Sequence, residues 1–353
     1  MRATGGALRA DKSYWYLVHF QWKGDKWQYA SIADTPGDLS VRDADGSRVT
    51  LERLEPSEAR ETIGVFLAMD GSQDTQMAEL LKKTQEFADC IRAGYVSAVE
   101  AKMAVETTIA KTLEYPMEAI SLTESQWNKV TWPIRRRALP KMGIVRNYPI
   151  NLVHSPEKFT GIGWMHPYHL NYIKQMISLP REMPSRSVTG SLMGSVLEQH
   201  VLEMGFNPDG GDWNFSTTKV CLTSSWWTYL LEYMEKHEFR MDFPGLGRLQ
   251  LRSSDDQFLM KAFIEAGYNG AELCKLNVCR MFLKVITVSD IAKGSLDYLE
   301  DWTDRSLSAT KQWAYQWPRS PPKPPQDWWN LWKKALIKSL CRESSQHVCG
   351  VPP

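Results

Sequence analysis

Long apolar segments are missing from this sequence. The uninterrupted apolar stretches in its 353 residues cover only a handful of positions, whereas about 18–20 are needed to span a bilayer. Residues 1–13 also lack the apolar core that a secretion signal requires. Together these absences predict an intracellular protein, nuclear or cytoplasmic, with no membrane partner.

Paired cysteines are missing as well. No two of the six cysteines form a C-x-x-C arrangement; they are Cys90, Cys221, Cys274, Cys279, Cys341 and Cys349. In a chain without a secretion signal this pattern is typical of reduced thiols. Cys274 and Cys279 lie five residues apart with no second ligand pair nearby, so the sequence predicts no zinc site.

Net charge is almost absent. The chain has 42 Lys+Arg against 41 Asp+Glu, a formal charge of +1. This balance argues against a protein that binds nucleic acid over its whole surface, but it does not exclude a local basic patch. The apolar fraction of 43% and the charged fraction of 24% are those of a globular protein. The length predicts two or three domains.

The spacing of apolar residues predicts an α+β fold. Alternation predicts one strand from Tyr14 to Trp22 with a return strand over 27–32, a second hairpin around Asp45-Gly46 and a strand over 62–67. Strand-like pieces follow in 144–165, and 205–218 has the composition of a loop. Helical spacing predicts helices over 77–93, 97–113, 123–132, 168–178, 188–204, 223–238, 255–266, 270–285 and 326–341. Pro133 either lies inside the helix that starts at Thr123 or separates it from a turn at 135–137.

These elements group into four predicted regions. Residues 1–70 form a small, antiparallel, β-rich region, residues 71–145 are helical, and residues 146–317 are mostly helical. Residues 318–353 begin with PRSPPKPP, a stiff linker, and end in a tryptophan-rich helix.

Three short segments in the first 123 residues form an ordered set of motifs. They are residues 4–13 (TGGALRADKS), residues 61–67 (ETIGVFL) and residues 111–118 (KTLEYPME) followed by Leu122-Thr123. They resemble motif D (G-L-x-L-N-x-x-K-T), the Y-L-G-V-x-L strand from palm to thumb, and the L-L-Y-G-x-E-x-W-x-L-T passage of non-LTR (LINE-type) retroelement reverse transcriptases. The resemblance covers about residues 4–145, and the later sequence resembles the C-terminal part of polymerase-like proteins more loosely.

This resemblance implies a palm remnant at 1–70, a thumb at 71–145 and a post-thumb domain at 146–317. It places Lys12 at the motif D lysine, which in the family assists proton transfer during nucleotide addition. The family's catalytic aspartates hold two Mg²⁺ ions and precede motif D, and this sequence contains neither of their motifs. We therefore expect a vestigial Lys12 and no polymerase activity, metal or cofactor in this chain by itself. Whether a palm is supplied by another chain stays open.

A basic patch between residues 126 and 160 is the main candidate for ligand contact. Trp127, Trp132 and Tyr148 lie among its cations, and clustered cations with aromatics neutralise phosphates and stack on bases. Because the family's thumb packs against the template–primer duplex, the predicted RNA or DNA contacts are Lys129, Arg135, Arg136, Arg137, Lys141 and Arg146. Lys158 extends the patch, in which Glu157 is the one acid. The alternative interpretation is a solvated turn packed on the following domain.

Two further clusters contain residue types that bind metals, but a structural role at a helix N-terminus explains each of them. Asp255-Asp256 offers paired carboxylates, but Ser253 three residues before Asp256 matches a capping box, which predicts a helix N-terminus. His166 and His169 fit no common zinc spacing and are also predicted to open a helix. No metal site is predicted at either cluster.

The late tryptophans support a second class of function. They are Trp302, Trp313, Trp317, Trp328, Trp329 and Trp332. Helical spacing of Trp328 and Trp332 predicts a face that packs in a core or interface. An aromatic surface flanked by prolines would instead suit a protein partner, in a catalytically inert interaction or structural subunit. A third interpretation is a reading frame never selected as an independent protein, for which exposed palm strand edges would be the sign.

Overall fold

The computed structural model describes residues 12–23, 26–42, 46–185, 187–207, 215–222, 224–241, 249–254, 256–293, 298–299 and 321–340. The chain divides into two compact units. The first takes the described residues up to Gln21 and Gln28–Ser178, and the second takes Trp22–Trp27 and the described residues from Leu179 onward. The predicted boundaries at 70 and 145 fall within the residue range of the first unit, and the predicted boundary at 317 lies outside the described residues. The described elements form a mixed α+β fold, as predicted.

Short strand pairs make up the β structure of the N-terminal region. The strands are β1 (Tyr14–Tyr16), β2 (Phe20–Lys23), β3 (Lys26–Tyr29), β4 (Ser40–Arg42), β5 (Arg48–Thr50), β6 (Glu52–Leu54), β7 (Arg60–Thr62) and β8 (Val65–Leu67). The hairpins β2–β3 and β4–β5 confirm the two predicted turns. Two predictions are wrong. The strand from Tyr14 is interrupted after Tyr16, and β1 pairs with β6 in parallel, so the region is not wholly antiparallel.

The predicted strand over 62–67 is instead the hairpin β7–β8. Thr62 pairs with Val65, so Ile63 and Gly64 form a two-residue turn, with φ of 49° and 79°. A type I′ turn requires positive φ at both positions, which glycine accepts and isoleucine resists. The Tyr115 hydroxyl donates a hydrogen bond of 2.7 Å to the Ile63 carbonyl and holds the turn.

Two long helices form the frame of the first unit. Helix α1 (Asp74–Ala93) packs along α4 (Glu124–Lys141). Helix α1 buries Leu80, Thr84, Ala88 and Ile91 at helical spacing, as its sequence pattern predicts.

Helix α4 continues nine residues beyond Trp132, so of the two arrangements left open for Pro133 the one inside the helix is present. The Thr123 hydroxyl and the Gln126 side chain form the predicted capping box at its N-terminus. Pro133 and Pro140 lie inside the helix. Each removes one backbone donor, yet Trp127, Val130 and Ile134 remain buried. Tertiary packing therefore carries the helix past the prolines and brings Arg135, Arg136 and Arg137 onto it.

The predicted helix over 97–113 contains a π-helical turn. Helix α2 (Ala98–Ala104) and α3 (Ala110–Glu114) flank the turn Val105–Ile109. Such turns insert an extra residue into the helical repeat and occur often at functional sites. Val105 and Ile109 are buried by this arrangement.

The strand-like pieces predicted over 144–165 are wrong. The region forms α5 (Ile150–His154), a 3₁₀ turn at Glu157–Phe159 and extended chain leading to α6 (Pro167–Glu182). The backbone amides of Ile162 and Trp164 bond the carbonyls of Leu152 and Val153. The extended segment therefore pairs with a helical turn and not with a strand.

Two fully buried amides on α6 fasten the turn that precedes α4. The Asn171 amide nitrogen donates to the carbonyls of Met117 and Ile120 at 2.5 and 2.9 Å, and its oxygen accepts from Trp127 Nε1 at 3.1 Å. Gln175 donates to the Ile120 carbonyl at 2.6 Å. Buried polar groups need such partners, so these bonds fix α6 against α4.

The second unit is helical around its own core. Its helices are α7 (Val188–Met204), α8 (Phe215–Thr218), α9 (Trp226–Lys236), α10 (Leu259–Glu265), α11 (Gly270–Leu283) and α12 (Gln326–Leu340), and β9 (Ala292–Lys293) pairs with β10 (Tyr298–Leu299). Phe263, Leu276 and Trp332 belong to the core. Helix α7 has the predicted bounds, whereas α8 lies in a segment predicted as a loop.

A fully buried arginine organises the centre of the second unit. The Arg280 guanidinium donates to the carbonyls of Leu202 and Glu203 at 2.6 and 2.9 Å, and to Asn277 Oδ1 at 2.9 Å. Gly205 ends α7 with φ of 78°, and a Cβ there would lie 2.7 Å from the guanidinium carbon. Glycine therefore serves both the left-handed cap and the close approach of Arg280.

The capping role predicted for Asp256 is wrong. Helix α10 begins at Leu259, and the Asp256 carboxylate accepts hydrogen bonds from the backbone amides of Arg252, Gln257 and Ser289. The carboxylate therefore joins two loops of the second unit. Asp255, its predicted companion, lies outside the described residues.

Candidate functional site

The predicted basic patch is divided by the fold. Helix α4 carries five of the six predicted contacts, but a helix turns about 100° per residue and sends neighbouring side chains in different directions. Lys129 and Arg136 are exposed, whereas Arg135, Arg137 and Lys141 are partly buried. The six side chains therefore do not form one continuous surface.

Lys141 has a structural partner. Its ammonium donates a hydrogen bond of 2.8 Å to the carbonyl of Gly94, which caps the C-terminus of α1. Cations near the last carbonyls of a helix stabilise it. This contact ties the ends of α1 and α4 together and withdraws Lys141 from the candidate interface.

One exposed face of α4 keeps the predicted combination of cations and an aromatic ring. Lys129, Trp132 and Arg136 lie three and four residues apart and so share this face. The Arg136 guanidinium carbon lies 4.9 Å from the centre of the Trp132 ring, and the Trp132 side chain is 50% exposed. We call these three residues the α4 face.

The remaining predicted residues lie apart from the α4 face in sequence. Arg146 is exposed in the turn after α4, and Lys158 lies 4.8 Å from the centre of the Phe159 ring. Lys12 is exposed at the start of the described chain, and the rest of its motif D segment lies outside the described residues.

A cavity of about 200 Å³ lies inside the first unit, between α4, α6 and the helices around the π-helical turn. Its walls are mostly apolar, and it is partly open to solvent. The lining residues are Val105, Glu106, Ile109, Ala110, Leu113, Met117, Thr131, Ile134, Arg135, His154, Gly163, Trp164, Met165, Pro167 and Leu170.

Arg135 is the strongly basic residue of this cavity. Its guanidinium donates a hydrogen bond of 3.2 Å to the carbonyl of Asn128, while its buried Nε has no hydrogen-bond partner. None of the described acidic side chains forms an ion pair with it, and burial lowers the pKa of the guanidinium. The structure thus places a predicted surface arginine at the wall of a cavity.

A cluster of three histidines includes His154, which lines this cavity. The ring centres of His154 and His166 are 4.3 Å apart, and those of His166 and His169 are 4.6 Å apart. Burial lowers the pKa of His166 to about 4, and His154, His169 and Arg135 act in the same direction while Glu124 opposes them. Burial also lowers the pKa of His154, whose Nδ1 lies 3.0 Å from the Trp164 carbonyl oxygen. Both rings are therefore neutral at pH 7.

Sequence reasoning missed this histidine cluster. His166 and His169 do flank the start of α6, as predicted, but His154 comes from α5 and is brought beside them only by the fold. Within the described part of the chain, no group of three or more His, Cys, Asp or Glu side chains is arranged to hold a metal ion. In the same residues, no helix combines the length and apolarity needed to cross a membrane.

The described late tryptophans belong mainly to the core of the second unit. Trp329 and Trp332 on α12 are 5% and 1% exposed, and Trp332 meets Phe263 edge-on at 5.4 Å. Trp328 is partly buried against the same core. These contacts confirm the packing interpretation for α12. Trp302, Trp313 and Trp317 lie outside the described residues.

Comparison of the chain with protein families, curated proteins and solved structures finds no match. The resemblance to LINE-type reverse transcriptases therefore depends on the three sequence segments alone.

Proposed function

We propose that the first unit binds nucleic acid through the α4 face, as a thumb-like domain of a chain derived from a LINE-type reverse transcriptase. The observation that carries the proposal is the exposed pair of Trp132 and Arg136 beside Lys129. The ligand is an RNA or DNA template–primer duplex or a single-stranded RNA. The chain by itself acts as a binding module and not as a polymerase, because its sequence lacks both aspartate motifs of the family.

Charge along α4 supports this proposal. The helix carries five basic side chains against one acid, Glu124, although the whole chain is nearly neutral. Lys129 and Arg136 are separated by two helical turns, or about 10 Å along the axis at 1.5 Å per residue. That distance matches about three phosphates along one strand of a duplex. Two cations at this spacing can neutralise phosphates of one backbone.

Trp132 adds base stacking to the phosphate contacts of the α4 face. An exposed indole offers a flat surface on which a base of any sequence can stack. Stacking of Arg136 on Trp132 holds the ring and the cation together, as in sites that read single strands through cation–π contacts. We therefore expect binding with little sequence preference and strong dependence on salt.

Fluorescence anisotropy with a labelled RNA–DNA hybrid at a series of salt concentrations tests the proposal. Replacing Lys129 and Arg136 together by glutamine should lower the slope of log affinity against log salt by about two, because each lost phosphate contact removes about 0.9. Trp132→Ala should weaken single-stranded RNA most, by about fivefold to a hundredfold for the loss of one stacked base.

A matched control uses Lys82 and Arg92, two exposed cations of α1. Replacing both by glutamine changes net charge equally, and we expect it to leave affinity and salt slope nearly unchanged. Circular dichroism of every variant checks that α4 is intact. Absence of salt-dependent binding, or equal loss in the control pair, would refute the proposal.

An inert interaction or structural subunit remains the second candidate function. The partial exposure of Trp328 is the described feature that favours it, since Trp329 and Trp332 are used in the core. Native mass spectrometry that finds a defined heteromer, together with no affinity for the hybrid, would support this alternative.

A further inference from the structure

We propose that the cavity between α4 and α6 binds a small monocarboxylate with an apolar body, and that Arg135 pairs with its carboxylate. This site is independent of the α4 face. It uses the one predicted nucleic-acid contact of α4 that lines a cavity.

The partly buried charge of Arg135 lacks an anionic partner among the described residues. Its guanidinium is half-buried, its Nε is buried without a hydrogen-bond partner, and no described acid pairs with it. Withdrawing a cation from water is costly unless an anion compensates it. A planar carboxylate matches the fork of an arginine and can accept two parallel hydrogen bonds. A bound carboxylate would therefore supply the negative charge and the further hydrogen-bond acceptors that Arg135 lacks.

Two other polar atoms near Arg135 share with its Nε the lack of a hydrogen-bond partner. Trp164 Nε1 and His166 Nδ1 are also buried without a hydrogen-bond partner. Because His154 and His166 are neutral at pH 7, they add no second full charge. The site thus suits one anionic group and not a phosphate of higher charge.

The rest of the cavity wall is mostly apolar. Ile109, Leu113, Ile134 and Leu170 give the cavity an apolar lining, which favours an alkyl or aromatic body. Glu106 also lines the cavity, but it is exposed to water and lies 3.8 Å from Lys102, an ammonium that it shares with Glu157. An apolar wall with one cation at its edge selects an amphipathic acid.

The π-helical turn shapes this wall. Val105 begins the turn and Ile109 ends it, and both line the cavity. A regular helix would rotate the residues after the turn by about 100° and change which side chains line the wall. This irregularity is expected where a helix is adapted to a ligand.

Isothermal titration calorimetry with octanoate on the full chain tests the proposal. We expect saturable binding, with octanol and octylamine at least about tenfold weaker, as the loss of a charge-assisted hydrogen bond predicts. Arg135→Gln should weaken octanoate by about the same factor. Arg137→Gln, the matched control on the same helix, should leave octanoate binding unchanged.

A second variant keeps the test decisive if Arg135→Gln fails to fold. Ala110→Leu adds bulk at the cavity wall and keeps the arginine, and it should abolish octanoate binding. Octanol binding as tightly as octanoate, or undiminished octanoate binding by Ala110→Leu, would overturn the proposal. Arg135→Gln should keep its affinity for the RNA–DNA hybrid, and the variant with Lys129 and Arg136 replaced should keep octanoate. The two proposals can therefore fail separately.

Discussion

Replacing Asn171 by alanine tests how α6 is held against α4, and with it the geometry of both candidate sites. The Asn171 side chain is fully buried and makes three hydrogen bonds. Its partners are the indole of Trp127 on α4 and the carbonyls of Met117 and Ile120 in the turn before α4. Gln175 and Tyr172 make further hydrogen bonds from α6 to the Ile120 and Leu122 carbonyls, and these bonds remain after the substitution.

The expected loss of stability follows from the hydrogen bond that each partner of Asn171 loses. Trp127 Nε1 loses its acceptor, and a buried unsatisfied donor costs about 1–3 kcal/mol. The Ile120 carbonyl keeps its 2.6 Å bond from Gln175, and the Met117 carbonyl keeps one of 3.4 Å. The vacated space adds about 1 kcal/mol. We expect Asn171→Ala to lower the free energy of unfolding of the first unit by about 3 kcal/mol.

Urea unfolding followed by circular dichroism measures this loss, and hydrogen exchange read by mass spectrometry assigns it to α4 and α6. Asn151→Ala is the matched control, because Asn151 is exposed on α5 in the same unit. That substitution should change stability by less than about 0.5 kcal/mol.

A double-mutant cycle tests whether loss of the hydrogen bond between Trp127 and Asn171 causes the loss of stability. Trp127→Phe removes the donor, so Asn171→Ala should cost at least about 1 kcal/mol less in that background. If Asn171→Ala lowers the free energy of unfolding equally in both backgrounds, the hydrogen bond to Trp127 is not the cause. A loss of stability no larger than that of Asn151→Ala would also contradict the prediction.

Three further predictions concern other parts of the chain. Ile63→Asn should stabilise the first unit by about 1 kcal/mol, because asparagine accepts the left-handed conformation of this turn at lower cost; the urea midpoint measures it. As pH falls from about 6.5 to 4, stability should decrease, because the unfolded chain protonates His166 before the folded chain does. His166→Gln should weaken that pH dependence in unfolding titrations. Arg280→Met should destabilise the second unit by about 3 kcal/mol in urea unfolding, because it removes the guanidinium donor of the Leu202 carbonyl and one of the two side-chain donors of the Glu203 carbonyl on α7.

Each of these predictions has a clear contrary result. A lower urea midpoint for Ile63→Asn would contradict the turn assignment. An unchanged pH dependence in His166→Gln would show that other groups control acid stability. Arg240, which is exposed, is the matched control for Arg280, and equal losses from the two methionine substitutions would contradict the hydrogen-bond account.

Local sequence patterns determined most of the helical architecture. The capping pair Thr123 and Gln126 sets the start of α4, and the apolar spacing of α1 and α7 gives their positions, because these signals involve residues within one or two turns. The change from alternating to helical spacing of apolar residues likewise determined the mixed α+β class. The small strands were predicted less well, since the pairing of β1 with β6 joins residues almost 40 positions apart.

The candidate sites depended on the tertiary structure. The sequence predicted one basic patch, but packing of α4 on α1 directs Lys141 to a helix end and Arg135 to a cavity, and it leaves Lys129, Trp132 and Arg136 exposed. The cluster of His154 with His166 required α5 and α6 to meet. The sequence by itself thus determined which charged and aromatic side chains the region contains. Only the fold decided which of them reach solvent, because burial depends on contacts between residues far apart in the chain.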